Sequence, residues 1–173
     1  MNRVYQQNPQ NFPHLLKSLS VGVKALPSSA GAGLAAPAAT STLPQDGYVY
    51  EQATGRMFAR EGGLNDLLET GYSGSEAKGG KNNPSLQCEQ DIGPIPQGIY
   101  MISDPFIGPS PFSLRLTPEP ANDMCGRDGF LIHGDSFADP GTASHGCIIL
   151  SRLGRERINQ SKLGALTVVE RLA

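Results

Sequence analysis

Two histidines and a cysteine fall within one short stretch, Ile132 to Leu150, which reads I-H-G-D-S-F-A-D-P-G-T-A-S-H-G-C-I-I-L. His133 precedes Cys147 by fourteen positions (147 − 133), and Ser144-His145-Gly146-Cys147 opens directly onto an apolar run. A free thiol, with a pKa of about 8.5, is mostly protonated at neutral pH, and a neighbouring imidazole can lower that value or accept the proton. The chemistry this allows is attack on a carbonyl to form a thioester, with His133 taking the thiol proton and returning it to a leaving amine. The backbone carbonyl of Gly134, or the side chain of Asp135 or Ser136, can orient the imidazole. Gly146 permits close approach to the nucleophile. The N–H groups of Gly146 and Cys147 are natural oxyanion donors, a contribution of roughly several kcal/mol.

Two other readings of the same residues exist. A cysteine in an apolar strand is commonly inert core. Cys125, His133, His145 and Cys147 give C-x7-H-x11-H-x-C, which fits no usual zinc spacing, although His133, Asp135 and His145 could form a catalytic zinc set.

For the thiol and imidazole to cooperate, two short strands must be neighbours. Phe130–Ile132 reads as a buried strand ending at His133, and Ile148–Leu150 as an apolar segment just after Cys147. If they pair, with 134–143 as the loop between them, both functional side chains reach one rim. Other elements frame this pair. Tyr48–Tyr50 and Met57–Phe58 flank Gln52-Ala53-Thr54-Gly55, as a hairpin does. Leu64–Leu68 has the spacing of a short helical turn, and Gly71–Pro84 reads as a loop. Gly93–Gly98 is a rigid turn leading into a strand over Ile99–Ser103, and Phe112–Leu116 alternates like a half-buried strand. Ser151 can cap a helix from Arg152 to about Gln160, with Leu153 and Ile158 inward and Arg152, Arg155, Glu156 and Arg157 wet. Gly164 ends it, and Leu166–Leu172 is a last strand. Gly (21) and Pro (14) are abundant and Trp is absent, which favours short strands and turns. The expected fold is mainly β, a β-sandwich or curved mixed sheet with one or two short helices.

Composition narrows the function classes. The net charge of −2 provides no basic field for nucleic acid, and no run of about 18 apolar residues could span a membrane. No signal peptide is legible at the start. Residues 1–46 are expected to form a flexible Ala/Pro/Gly/Ser-rich segment with one short amphipathic helix over 13–19, and 47–173 the catalytic domain. His14 is read as part of a solvated helix face. Of the three cysteines, Cys147 is the reactive candidate; Cys88 and Cys125 are either reduced thiols or a disulfide requiring an oxidising compartment.

Ser144-His145-Gly146-Cys147 with Ile132-His133-Gly134 upstream resembles the signature of the L,D-transpeptidase (YkuD-like) catalytic domain, and Gly93–Tyr100 resembles a strand lead-in common there. Gly71–Gly74, Asn82-Asn83-Pro84, Arg127–Asp135 and Pro140–Ile149 further resemble the L,D-transpeptidase-like effectors of type VI secretion systems. The resemblance implies a cofactor-independent enzyme that acts on peptidoglycan stem peptides in a rival's periplasm. It would trim terminal D-Ala as an L,D-carboxypeptidase or exchange it for another D-amino acid. It also implies a cognate immunity protein and a spike, tube or chaperone partner for loading. Position by position, Cys147 matches the nucleophile, His133 the base, Gly134 the residue whose carbonyl orients that base, and His145 the shaper of the oxyanion site. Ser144 and Gly146 match the turn. Ordinary L,D-transpeptidases usually carry Arg or Asn two residues after the cysteine, where this chain has Ile149, and the His-to-Cys loop here is short. Both departures favour trimming over crosslink formation. They leave substrate binding to Arg127, Asp135, Arg115 or Arg152, with a surface ion pair as the competing role for each arginine.

Overall fold

A computed structural model describes residues 43–173; the helix expected over 13–19, His14 and most of the Ala/Pro-rich segment lie outside the described residues. The described chain forms nine strands and one α-helix: β1 (Gly47–Glu51), β2 (Arg56–Glu61), β3 (Leu64–Thr70), β4 (Tyr72–Ser73), β5 (Gly98–Ile102), β6 (Leu114–Pro118), β7 (Leu131–His133), β8 (Ile148–Ile149), α1 (Arg152–Ser161) and β9 (Ala165–Val169). The strands build one sheet in the order β3-β2-β1-β9-β5-β6-β7-β8-β4. β1/β9 and β7/β8 pair in parallel and the remaining neighbours antiparallel, so the sheet is mixed.

Its two edge strands, β3 and β4, are consecutive in the chain and meet at Gly71. The Gly71 N–H bonds the carbonyl of Gly55 at 2.8 Å, and a Cβ at Gly71 would stand 1.9 Å from the Ile149 carbonyl oxygen. Glycine thus lets the ends of the sheet approach, and the curved sheet is nearly closed. Tyr50, Met57, Ile95, Tyr100, Leu114, Ile132, Ile148 and Leu166 fill the interior, each fully buried.

The hairpin of β1 and β2 forms where the turn residues place it, with Gly55 at φ +72°. Residues 64–68, expected as a helical turn, are instead part of strand β3. Gly62 and Gly63, at φ +56° and +81°, make the two-residue turn that strand pairing favours, and β3 then pairs along β2. Within the expected 71–84 loop, Tyr72 and Ser73 form β4 against β8. The strand expected at Phe112 starts only at Leu114, because Phe112 sits at φ +65°, outside extended geometry.

Helix α1 begins where Ser151 caps it, its Oγ accepting from the Gly154 N–H at 3.0 Å. Two of its faces differ from expectation. Ile158 is buried, but Leu153 is 56% exposed, while Arg155 is only 4% exposed. Arg155 turns inward because carbonyls await it there: its Nη1 donates to Pro111 and Phe112 oxygens and to Ser110 Oγ, and its Nε to the Ser151 oxygen.

Candidate active site

The parallel pairing of β7 with β8 sets Ile132 beside Ile148 and His133 beside Ile149. Side chains alternate along strands, so His133 and Cys147 lie on the face opposite the buried Ile132 and Ile148. Continuing the register back from Ile148, Cys147 stands abreast of Leu131, and His133 is two residues further along the neighbouring strand. Strand spacing alone puts the two on a diagonal with Cα atoms roughly 8 Å apart.

His133 is 5% exposed. Its Nδ1 contacts the Gly134 carbonyl at 2.8 Å, which makes Nδ1 the donor and leaves Nε2 as the ring's basic atom. Burial holds its pKa below the ordinary histidine value; the Gly134 bond and Asp135 act against that, and Arg155 adds to it. The imidazole is therefore neutral near pH 7. Gly134 is itself fixed, since its N–H donates to Ser110 Oγ at 2.7 Å and Ser110 Oγ accepts from Arg155 at 2.9 Å.

Cys147 is the free cysteine. Burial pushes its thiol above the ordinary value, with the Leu131 N–H and the charge of Arg127 pulling the other way. Burial thus favours the uncharged form of both groups.

The turn that carries the thiol is held by side chains on its carbonyls. Ser144 is buried; its Oγ donates to the Cys147 carbonyl at 2.6 Å and accepts from the N–H groups of Gly74 and Gly146 at 2.8 and 3.1 Å. Ser73 Oγ donates to the Gly146 carbonyl at 2.8 Å. Arg127 Nη2 donates to the His145 carbonyl at 3.1 Å. The Gly146 N–H, expected with that of Cys147 as an oxyanion donor, is engaged by Ser144. Gly146 has φ +140°, and a Cβ there would stand 2.3 Å from Arg127 Nη2. His145 is exposed, and its backbone rather than its ring is tied into the turn.

The remaining candidates separate. Arg127 is 7% exposed, and its terminal nitrogens donate to the carbonyls of Gln87, Pro94, Gly93 and His145 at 2.6–3.1 Å. Neither a surface ion pair nor an open carboxylate receptor describes it. Asp135 accepts from Tyr72 Oη at 2.5 Å and from the N–H groups of Ser136 and Gly141 at 2.8 Å. Burial works to raise its pKa, but these bonds outweigh it and hold the carboxyl below its usual value. Its geometry is that of a brace for the 134–143 loop. Arg152 forms an ion pair with Glu156 at 2.6 Å and lies over the Phe112 ring. Arg115 is exposed on β6 above Phe106, away from both clefts described below. Cys88 and Cys125 form a disulfide with Cα atoms 5.1 Å apart.

Two clefts lie near the β7/β8 pair. One, of about 210 Å³, is lined by Cys147, His145, Gly146, Arg127, Phe130 and Asp91, among others. The other, of about 410 Å³, has Gly134, Asp135, Ile149, Tyr72, Arg152 and Arg155 in its wall. Among the described residues no three His, Cys, Asp or Glu side chains converge as a metal site would need, so His133, Asp135 and His145 are not brought together. No helix of the described residues is long and apolar enough to cross a membrane. Arg155 and Ser110 were not legible as site residues: a helical arginine in a charged run reads as solvated, and Ser110 sits in a Pro/Ser turn without a motif.

The sheet is nearly closed and mainly β, with His133 at the end of β7 and Cys147 directly before β8. The family model described as the Tlde1 domain matches residues 68–172, more than half the chain and all of this site. The chain belongs to the Tlde1 family, the L,D-transpeptidase-like effector domain of type VI secretion systems, which acts on peptidoglycan. No curated protein and no solved structure matches it.

Proposed function

We propose that this protein is an antibacterial cysteine L,D-carboxypeptidase that also exchanges terminal D-amino acids on peptidoglycan tetrapeptide stems. What supports the reading is the parallel pairing of β7 with β8, with His133 at the end of one strand and Cys147 just before the other, and the cleft that Cys147 lines. The Cys147 Sγ attacks the carbonyl joining meso-diaminopimelate to D-Ala as its proton passes to His133 Nε2. The developing oxyanion is met by the Cys147 N–H, with His145 at the cleft wall. The carbon–nitrogen bond breaks, D-Ala leaves with the proton from His133, and a thioester remains. Water, deprotonated by His133, releases the tripeptide; a free D-amino acid in its place restores a tetrapeptide with a new terminus. In both cases the sulfur leaves as thiolate and is reprotonated.

Ile149 supports trimming over crosslink building: it is an apolar, 3% exposed residue where Arg or Asn would offer polar contacts to an acceptor strand. The Cys88–Cys125 disulfide suits a protein that works in an oxidising periplasm after delivery. Residues 1–46 would then serve loading onto a spike, tube or chaperone, and 47–173 catalysis, with an immunity protein guarding the producer.

Muropeptide analysis tests the reading. Wild type directed to the periplasm should convert tetrapeptide to tripeptide stems and be toxic there but not in the cytoplasm; Cys147→Ala should do neither. Trimming by Cys147→Ala sinks the mechanism.

A further inference from the structure

Arg127 is the buried cation nearest the thiol turn. Its four terminal N–H bonds end on four carbonyls: three from the 87–94 loop (Gln87, Gly93, Pro94) and one from His145, two residues before Cys147. Phe130 packs against its guanidinium, 5.1 Å from the ring centroid. Four dipoles aimed at one planar cation fix it in place and compensate its lost hydration.

The disulfide brackets this clamp at both ends. Cys88 follows Gln87, whose carbonyl takes the shortest of the four bonds, and Cys125 lies two residues before Arg127. Cys125 and Gly126, at φ +52° and +71°, turn the chain so that Arg127 enters the loop. The Gln87 side chain is also held, accepting from the Gln97 N–H and the Gln52 amide. A continuous path therefore runs from the disulfide through Arg127 to the His145 carbonyl and on to Gly146 and Cys147. Gly146 is the residue that lets Arg127 come so close.

We propose that Arg127 is a positioning residue for the nucleophile: braced by the Cys88–Cys125 disulfide, it sets the His145–Cys147 turn and keeps a positive charge beside the sulfur. This rests on the reading of Cys147 as nucleophile. A cation there stabilises the thiolate both as it attacks and as it leaves, against the burial that disfavours it. Because the brace forms only when the Cys88 and Cys125 thiols pass two electrons and two protons to a disulfide oxidant by thiol–disulfide exchange, the turn is fully set only in an oxidising compartment, which ties activity to the one reached after delivery.

The test uses the full chain with two readouts: stem-peptide turnover, and the pH midpoint of Cys147 alkylation by iodoacetamide. Arg127→Met should lower kcat on the order of 100-fold with little change in KM, and move the alkylation midpoint upward. Arg127→Lys, which keeps the charge but not the fork, should restore most of the midpoint and less of the kcat. Reduction of the wild type, and Cys88→Ser/Cys125→Ser, should lower kcat in the same direction; the double variant should be indifferent to reductant. Circular dichroism checks folding, and if Arg127→Met does not fold, Arg127→Lys and the double variant decide. An Arg127→Met protein with kcat within threefold of wild type, or an unmoved alkylation midpoint, overturns the positioning role. Full activity of the reduced, folded protein overturns the brace. If wild type turns over no stem peptide, the proposed function fails separately, and the alkylation midpoint still reports on Arg127.

Discussion

Two buried arginines, one in the wall of each cleft, are built alike, yet they act on different partners. Arg127 reaches Cys147 through the His145 carbonyl. Arg155 reaches His133 through Ser110 Oγ, which receives the Gly134 N–H, while the Gly134 carbonyl orients the imidazole. Beside the sulfur, positive charge favours the charged form, the thiolate; beside the imidazole, it disfavours the charged form, the imidazolium. Arg155 therefore adds to the burial that holds the His133 pKa low, while Arg127 offsets part of the burial that raises the thiol. The comparison also explains why neither arginine is a free substrate receptor at its bonded atoms: each is occupied in fixing a backbone turn.

The largest expected effect that probes the histidine side is His133→Ala, which should lower kcat by roughly 100- to 10,000-fold with the fold intact, as read by steady-state turnover. A smaller loss would mean that the thiol does not depend on this base. Next is Arg155→Met. It strands the Pro111 and Phe112 carbonyls in a part-buried site, removes one partner each from Ser110 Oγ and the Ser151 carbonyl, and should cost about 3 kcal/mol of stability in chemical denaturation. A near-neutral result would break the parallel between the two arginines.

Acid should act through His133. Its folded pKa lies below the unfolded value of about 6.5, so the unfolded chain binds the proton first and stability falls as pH drops below about 6.5. The drop should continue down to the folded pKa, and His133→Gln should remove that part of the slope, measured by melting temperature against pH. Activity should likewise fail on the acid side with an apparent pKa below 6.5. The smallest effect belongs to the exposed arginine. Arg115→Ala should change stability by no more than about 0.5 kcal/mol and turnover by less than twofold, and a larger loss of turnover would show that β6 contributes to substrate binding after all.

Legibility varied with how local the deciding interaction was. The β1–β2 hairpin was readable because Gln52–Gly55 is turn chemistry confined to four residues. β3 was misread although Gly62-Gly63 announced a turn: Leu64, Leu67 and Leu68 have helical spacing, yet Leu64 is 79% exposed and pairing with β2 decides the conformation. β4 is two residues long and exists only because β8 lies beside it, so it left no pattern to read. Ser151 was readable as a cap, whereas the inward turn of Arg155 depended on carbonyls forty residues away in sequence.

The sequence by itself determined the reactive residue types, the order of histidine before cysteine, the strand endings that carry them, and the glycines that permit close turns. These follow from side-chain chemistry and from backbone restrictions acting over a few residues. Tertiary structure alone decided that β7 and β8 pair in parallel, that the thiol is raised and the imidazole lowered by burial, and that the Gly146 N–H is engaged by Ser144. It also decided that Arg127 and Arg155 are interior clamps. Whether an arginine faces water or a set of carbonyls depends on where distant loops close over it, and no local spacing contains that information.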